Sequence, residues 1–226
     1  MGAPEGTGTG PGVAGAVPLT ELDDAAFSAW VEGQGGKPFQ ARQLRHWLYK
    51  HGATDAEDFR NLPKSLREAL AQRGPIRGSE VAEVDTSEDG TEKLLIRLGD
   101  GRTVDCVMIP EEPRMTLCIS SQVGCPVGCI FCASGLAGVE RNLTSGEILE
   151  QVLHALDRLE EGQSLTNIVV MGLGEPMLNL DNLLQALRRL QDPEGLHVGA
   201  RRITVSTSGY PKQIEKFAAE SSSWNL

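Results

Sequence analysis

The sequence contains no long apolar run. A membrane-spanning helix needs about 18 or more consecutive apolar residues, and no stretch of this sequence approaches that length. The first residues carry neither a basic region nor an apolar segment, and Gly6 stands where a myristoylation signal requires Ser or Thr. We therefore expect a cytoplasmic protein that does not bind membranes.

Positive charge is scarce overall but concentrated in one segment. The whole sequence has 21 Lys and Arg against 31 Asp and Glu, a formal net charge of −10, whereas nucleic-acid binding needs local positive charge. Residues 37–78 hold nine Lys and Arg against four acidic residues, a local excess of five. Such a basic module is typical of a nucleic-acid-binding domain, although an ordinary solvated helix face explains the same composition equally well.

The five cysteines, an odd number, favour metal or catalytic thiols over disulfides. Cys125, Cys129 and Cys132 follow a C-x3-C-x2-C spacing. Three thiolates this close can hold three corners of a 4Fe-4S cluster and leave one iron open to a non-protein ligand. The alternative is a structural zinc site, but zinc sites usually combine two separated pairs, and the sequence has no second pair. The nominees for a fourth zinc ligand are Cys106, Cys118 and His154.

Composition and periodicity divide the chain into four parts. Residues 1–18 hold six glycines and three prolines and predict a disordered tail. Residues 19–78 predict a small helical domain of three helices, the first of them capped by Thr20. Residues 79–112 predict an antiparallel β meander with hairpin turns. Residues 113–226 alternate strands and helices, the pattern of a parallel α/β sheet or barrel.

The last part predicts three βα units. The strands are expected at residues 115–120, 167–171 and 202–207, and Thr144 with Glu147 forms a capping box for the first helix. Trp224 is expected to begin a fourth strand. Three units cannot close a barrel and leave an open sheet edge. We therefore expect a truncated or partial domain.

Candidate binding residues follow the predicted strands, because reactive groups in parallel βα folds collect at the carboxyl ends of strands. The cysteine loop follows the first strand, Gly174 and Glu175 follow the second, and Ser206 ends the third. A carboxylate beside a glycine suits a ligand's ammonium group, and the Ser206 hydroxyl can contact the same ligand. An ordinary tight turn is the alternative for the glycine-rich segment.

Two candidate catalytic residues lie within strands. Cys118 shares a face of its strand with Thr116 and Ser120, away from the apolar face, although a strand cysteine is more often inert. Asp105 shares a face with Val107 and lies among apolar neighbours, as a general base can. A surface carboxylate is the commoner alternative for Asp105.

Longer motifs connect these residues to a known family. The cysteine spacing, with Phe131 before the third cysteine, resembles the cluster motif of the radical S-adenosylmethionine (radical SAM) superfamily. Residues 38–43 and 47–49 are similar to the N-terminal RNA-contacting domain of its 23S rRNA adenine-C2 methyltransferases. Four other segments closely resemble the same methyltransferases: residues 117–125, 141–143, 170–176 and 204–209.

The resemblance implies a partial (β/α) radical SAM barrel, truncated after about three βα units and preceded by the helical domain and the meander. It also implies 23S rRNA and tRNA as substrates, an electron donor such as flavodoxin, and a monomer. The implied cluster ligands are Cys125, Cys129 and Cys132. The residues implied to bind S-adenosylmethionine are Gly174, Glu175 and Ser206.

The mechanism implied by the resemblance uses two cysteines. One S-adenosylmethionine methylates a C-terminal cysteine, and a second supplies the radical that joins this methyl group to the adenine carbon. Cys118 then attacks the thioether sulfur, which forms a disulfide and releases the product. Asp105 would take the proton from the adduct, where the family commonly has Glu. The methyl-accepting cysteine is expected beyond Leu226.

Three other functions remain open on the sequence. The first is the related enzyme that methylates carbon 8 of the same adenine, because the shared motifs do not separate the two products. The second is an inactive RNA-binding fragment. The third is a radical SAM enzyme acting on a small substrate, which the basic helical segment disfavours.

Overall fold

The computed structural model describes residues 17–220 and 223–226. The predicted disordered tail lies outside the described residues except for Val17 and Pro18. The helices are α1 (Asp24–Gly33), α2 (Pro38–Lys50), α3 (Lys64–Arg73), α4 (Ser145–Leu156), α5 (Leu180–Gln191) and α6 (Pro211–Ala218). The strands are β1 (Glu80–Thr86), β2 (Glu92–Arg97), β3 (Thr103–Glu111), β4 (Arg114–Cys118), β5 (Gln122–Gly124), β6 (Val139–Asn142), β7 (Asn167–Val170) and β8 (Ile203–Val205).

The three N-terminal helices α1–α3 pack around their own apolar core. Helix α2 begins at Pro38, whose missing N–H costs nothing in a first turn. Gly74 ends α3 with φ 128°, a conformation that favours glycine. The largest fully buried side chains of this core are Leu19, Phe27, Leu44, Leu48, Phe59, Leu66 and Leu70. We call residues 19–76 the helical module.

The predicted N-cap at Thr20 is wrong. Asp23 caps α1 instead, and its carboxylate accepts a hydrogen bond from Ala26 N at 2.8 Å. Residues 19–21 form a separate short turn, in which the N–H groups of Leu19 and Thr20 donate to Pro75 O and Ile76 O. These bonds turn the Thr20 side chain inward, where it is fully buried and donates to the carboxylate of Glu150.

The rest of the chain is organised on one six-stranded sheet in the order β1-β2-β3-β4-β7-β8. Strands β1 to β4 pair antiparallel, which confirms the predicted meander, and β4, β7 and β8 pair parallel, as predicted for the βα units. The antiparallel and parallel parts meet at β4, where Cys118 lies opposite Val107 of β3 on one side and Val169 of β7 on the other. Asn225 forms an isolated parallel bridge with Thr204, next to Trp224, where the sequence predicted the start of a further strand.

One face of this sheet carries the larger core. Leu117, Ile168 and Ile203 are fully buried on it, and the same core contains the apolar residues of α4 and α5 and Phe217 of α6. Helix α4 starts with the predicted capping box, in which Thr144 and Glu147 each accept a hydrogen bond from the other residue's N–H. Strand residues alternate between faces, so their neighbours in sequence point to the opposite face.

Strands β5 and β6 form a separate two-stranded ladder that the sequence did not predict. Gln122 pairs with Asn142 and Val123 with Arg141. The ladder pairs the segment before residues 125–138 with the segment after them. Residues 125–138 contain the three closely spaced cysteines. We call residues 125–138 the cysteine loop.

Arg141 joins this ladder to the rest of the fold. Its guanidinium donates to Asp100 Oδ2 at 2.7 Å and to both carboxylate oxygens of Glu147 at 2.7 and 2.8 Å. The bond from Arg141 lowers the pKa of Asp100 to about 2. Bidentate pairs of this kind are among the stronger surface interactions.

We expect Arg141→Ala to lower the free energy of unfolding by about 1–2 kcal/mol at neutral pH. Because the folded pKa of Asp100 lies below its ordinary value of 3.8, the stabilisation is present above that value and is lost as the pH falls towards 2. The variant should therefore lose less stability than the parent on acidification through this range. Urea unfolding at several pH values measures both effects, with Arg97→Ala, which removes one exposed ion pair, as the control. An Arg141→Ala variant with the parent's pH profile would contradict this account.

Among the described residues, no helix is both long and apolar enough to cross a membrane.

Candidate cofactor and catalytic site

The face of the sheet opposite the helices brings the two predicted catalytic residues together. Cys118 lies directly across from Val107 on β3 and from Val169 on β7, so the three side chains share this face. Asp105 is two residues from Val107 and therefore projects from the same side. Asp105, Val107, Cys118 and Val169 are all half-buried, whereas their sequence neighbours belong to the core. We call this surface the open face.

The two strand cysteines lie on opposite sides of the sheet. Cys106 is 1% exposed in the core, and burial raises the pKa of its thiol to about 12. Burial also raises the pKa of the half-buried Cys118 thiol, although a hydrogen bond from the Met171 backbone N–H partly offsets that effect. Cys118 is thus a protonated but reachable thiol near neutral pH.

We expect the two thiols to react with iodoacetamide at different rates in the folded protein. Cys118 should be alkylated slowly at neutral pH and faster as the pH rises towards its raised pKa, because the thiolate is the reactive form. Cys106 should stay unmodified until the protein unfolds. Peptide mass spectrometry after timed labelling measures both rates, and labelling of Cys106 as fast as Cys118 would contradict the assigned faces.

The cysteine loop presents the other three thiols. Cys125, Cys129 and Cys132 are free and half-buried, and the backbone is held locally by bonds from Cys125 N to Gly138 O and from Cys132 N to Cys129 O. Ile130 and Phe131 between them are 104% and 89% exposed. The loop therefore projects its apolar side chains outward from the fold.

The donor chemistry of the loop fits an iron–sulfur cluster. Three thiols within eight residues, none in a disulfide, are the soft ligands that such a cluster takes. In the described part of the chain, no three His, Cys, Asp or Glu side chains stand close enough together to hold a metal ion. Two of the nominees for a zinc fourth ligand are occupied elsewhere, since Cys106 lies in the core and His154 Nε2 contacts Ser79 Oγ at 3.0 Å. The third nominee, Cys118, lies on the open face of the sheet. The assignment of the loop cysteines to a cluster stays a prediction.

Glu175 ties the end of β7 to the end of β8. Its side chain is 3% exposed. One carboxylate oxygen accepts from Met177 N at 3.0 Å and from the Thr207 hydroxyl at 2.6 Å. The other accepts from the N–H and the hydroxyl of Ser208, both at 2.8 Å. Burial raises the pKa of Glu175, but these hydrogen bonds outweigh it and keep the pKa below its ordinary value.

Three side-chain amides, the buried Gln122 and Asn179 and the exposed Asn142, hold the segments around Glu175, and sequence reasoning missed them. The side-chain oxygen of Gln122 accepts from Glu175 N at 2.8 Å, and its amide nitrogen donates to Asn142 Oδ1 at 2.7 Å. Asn179 donates to Ser121 O and to Leu143 O. All the residues in these bonds except Asn179 lie in segments that resemble the methyltransferase family, and that resemblance was the only sequence signal for them.

The remaining predicted ligand contacts lie beside this network. Gly174 adopts φ 105°, and a Cβ there would stand 2.7 Å from Gln122 Cβ, so the position requires glycine. Ser206 is exposed, and its N–H donates to Val170 O at 3.3 Å. Gly174, Glu175 and Ser206 thus lie together where β7 and β8 end, as the strand order predicted.

Part of the positive charge of residues 37–78, most of which belong to the helical module, is paired with acidic side chains of the protein itself. Arg45 pairs with Asp24 and Asp192, Arg67 with Glu57, and Arg77 with Asp157. Among the described residues, the exposed cations of this module without an ion pair are Lys37, Arg42, Lys50 and Arg60.

Two protein-family descriptions match the chain. "Ribosomal RNA large subunit methyltransferase N-terminal domain" matches residues 17–76, and "Radical SAM superfamily" matches residues 119–221. A solved radical SAM methyltransferase from Sphaerobacter thermophilus matches with a TM-score of 0.86 at 41% identity, over 92% of this chain and 61% of that one. The mixed sheet, its helices and the cysteine loop thus define a radical SAM domain.

Curated relatives narrow the class further. The chain is 49% identical over 197 residues to a probable dual-specificity RNA methyltransferase RlmN of Rhodopirellula baltica, covering 87% of this chain and 53% of the relative. It is 45% identical over 202 residues to the dual-specificity RNA methyltransferase RlmN of Halorhodospira halophila, covering 89% and 56%. The chain belongs to this RlmN family of radical SAM methyltransferases. It spans about half the length of the curated relatives that it matches.

Proposed function

We propose that this chain is part of a cytoplasmic S-adenosylmethionine-dependent enzyme that methylates carbon 2 of an adenosine in 23S rRNA and of adenosine 37 in tRNA. The observation that carries the proposal is the register of the sheet. It puts Cys118, the last residue of β4, on one open face with Asp105 of β3, and the chain then runs through β5 into the cysteine loop. The names of the relatives, dual-specificity RNA methyltransferases, support RNA as the substrate.

In this proposal, the loop cysteines and the residues at the ends of β7 and β8 bind the cluster and the cofactor. Cys125, Cys129 and Cys132 would hold a 4Fe-4S cluster, which, with S-adenosylmethionine bound, supplies a 5′-deoxyadenosyl radical. Gly174 lets the chain pass close to Gln122 and so positions the Glu175 that follows it. The side chains that would contact the cofactor are those of Glu175 and Ser206.

Asp105 and Cys118 would act on the RNA side of the reaction. The Asp105 carboxylate lies on the open face and would accept the proton that the substrate carbon must lose. Cys118 would attack the sulfur of the thioether that links the RNA to the protein, and the new disulfide would release the methylated base. The second thiol of that pair belongs, in this proposal, to the part of the relatives that this chain does not span.

The helical module would contribute RNA affinity. Lys37, Arg42, Lys50 and Arg60 are exposed and free of ion pairs among the described residues, so they can neutralise phosphates without breaking internal contacts. The exposed Phe39 lies on the same helix as Arg42 and Lys50 and offers a ring for base stacking.

Expression in a strain lacking 2-methyladenosine in its 23S rRNA tests the proposal. The whole gene should restore 2-methyladenosine, measured by nucleoside mass spectrometry. The same gene with Cys118→Ala should lower the product at least about 100-fold, because no other group on the open face can form the disulfide. The 226-residue chain alone should restore none.

Two results would contradict this proposal. Formation of 8-methyladenosine would favour the related carbon-8 enzyme, and an unmodified adenosine with retained RNA binding would favour an RNA-binding protein without activity. Cys106→Ala is the matched control, because Cys106 lies in the core and should not affect the product.

A further inference from the structure

The carboxylate of Glu175 is fully occupied by the protein itself. A carboxylate offers about four lone-pair sites for hydrogen bonds. Met177 N and the Thr207 hydroxyl fill those of one oxygen, and the N–H and hydroxyl of Ser208 fill those of the other. A ligand ammonium can therefore bind this carboxylate only if one of the four donors leaves.

The four donors differ in how freely they can leave. Two are backbone N–H groups, which move only with the chain. The Thr207 hydroxyl is fixed from a second side, because its oxygen also accepts from Gly209 N at 3.1 Å. Ser208 is exposed, so its hydroxyl can rotate about one bond into solvent and exchange its carboxylate bond for water.

We propose that the Ser208 hydroxyl stands in for the ligand's ammonium group at Glu175 when no ligand is bound, and that it leaves when the ammonium binds. The hydroxyl fills the fourth lone-pair site of this buried carboxylate in the free protein, where an empty site would cost one hydrogen bond. The exchange makes Ser208 a positioning residue that tunes affinity for the amino-acid end of the ligand. This inference rests on the proposed role of Glu175 in binding S-adenosylmethionine.

Removal of the Ser208 hydroxyl should increase the affinity for S-adenosylmethionine. In Ser208→Ala the hydroxyl no longer competes with the ammonium, while three donors still orient the carboxylate. We expect S-adenosylmethionine to bind the anaerobically reconstituted protein about three- to tenfold more tightly, because one hydrogen bond to a charged group no longer has to be broken. Equilibrium dialysis without a reductant measures this affinity without turnover.

A second ligand separates this exchange from a general change in the site. 5′-Methylthioadenosine lacks the amino-acid end of S-adenosylmethionine, so its affinity should be the same in the parent and in Ser208→Ala. Ser87→Ala, an exposed serine in the β1–β2 turn, should change neither affinity. Glu175→Gln should weaken S-adenosylmethionine alone, because a neutral amide attracts an ammonium less strongly.

The outcomes distinguish the inference from the function on which it rests. Unchanged or weaker S-adenosylmethionine binding in Ser208→Ala, with weaker binding in Glu175→Gln, would overturn the exchange and leave the role of Glu175 intact. An equal shift for both ligands would also overturn the exchange. Unchanged binding in Glu175→Gln would remove Glu175 from the ligand site and the inference with it.

Discussion

Replacing Glu150 by alanine is expected to lower the free energy of unfolding by about 3 kcal/mol. Glu150 is 1% exposed on α4 and is the point where the helical module meets the sheet domain. Its carboxylate accepts from the Thr20 hydroxyl and the Ser79 hydroxyl, and from Gly78 N at 2.7 Å. Alanine would leave the buried Thr20 hydroxyl and the half-buried Gly78 N–H without this acceptor, and the Ser79 hydroxyl would keep only its contact with His154 Nε2.

Neighbouring contacts show that this region joins the two parts of the fold. Glu21 accepts from the Thr144 hydroxyl at the start of α4, and Arg189 on α5 donates to Thr20 O at 2.5 Å. Burial raises the pKa of Glu150, and the donors around it partly offset that effect. Loss of the Glu150 carboxylate should therefore weaken the attachment of the helical module as well as lower the stability of the whole protein.

Glu150→Gln is the matched control for Glu150→Ala. The amide keeps one acceptor for Thr20 and Gly78, and the Ser79 hydroxyl can accept from the new amide nitrogen, so the loss should stay below about 1.5 kcal/mol. Denaturant unfolding gives the free energies, and hydrogen exchange at Leu19 and Thr20 reports whether the module loosens first. An alanine variant as stable as the parent, or a glutamine variant as damaged as alanine, would contradict the assigned role of Glu150.

Local sequence signals predicted the elements of the fold well. The capping box at Thr144 and Glu147, the Gly turns of the meander and the order of strands and helices all depend on residues close in sequence, and all appear in the structure. Thr20 misled because its cap signal was local, whereas its partner Glu150 lies 130 residues away. Glu150 itself, a charged residue in an amphipathic helix, gave no sign of burial.

For the candidate site, too, local features were predicted and contacts between distant segments were not. The order of strand ends correctly predicted that Gly174, Glu175 and Ser206 follow neighbouring strands at one edge of the sheet. The common face of Cys118 and Asp105 was not predicted, because it depends on the register between β3 and β4. The amide network of Gln122, Asn142 and Asn179 could not be predicted from local pattern, because each of its bonds joins segments 20 or more residues apart.

Loss of the cluster in Cys129→Ala is the second large effect that we expect. The cysteine loop offers three thiolates, and the proposed cluster uses all of them, so the loop has no further thiol to replace Cys129. Metal binding and loop order are coupled, because ligands converge only when the metal is present. Removing the middle ligand should therefore abolish the cluster rather than weaken it.

Cys118→Ala provides the matched control for that variant. It also removes one cysteine, but from the open face of the sheet, so cluster content should be unchanged. A variant set of this kind separates loss of a ligand from a general effect of losing a thiol.

Anaerobic reconstitution of the 226-residue chain with iron and sulfide tests the central assignment most directly. We predict about four irons per chain and the visible absorbance and electron paramagnetic resonance spectrum of a 4Fe-4S cluster, retained in Cys118→Ala and absent in Cys129→Ala. Stoichiometric zinc with no iron, or an unchanged cluster in Cys129→Ala, would contradict the assignment of the cysteine loop.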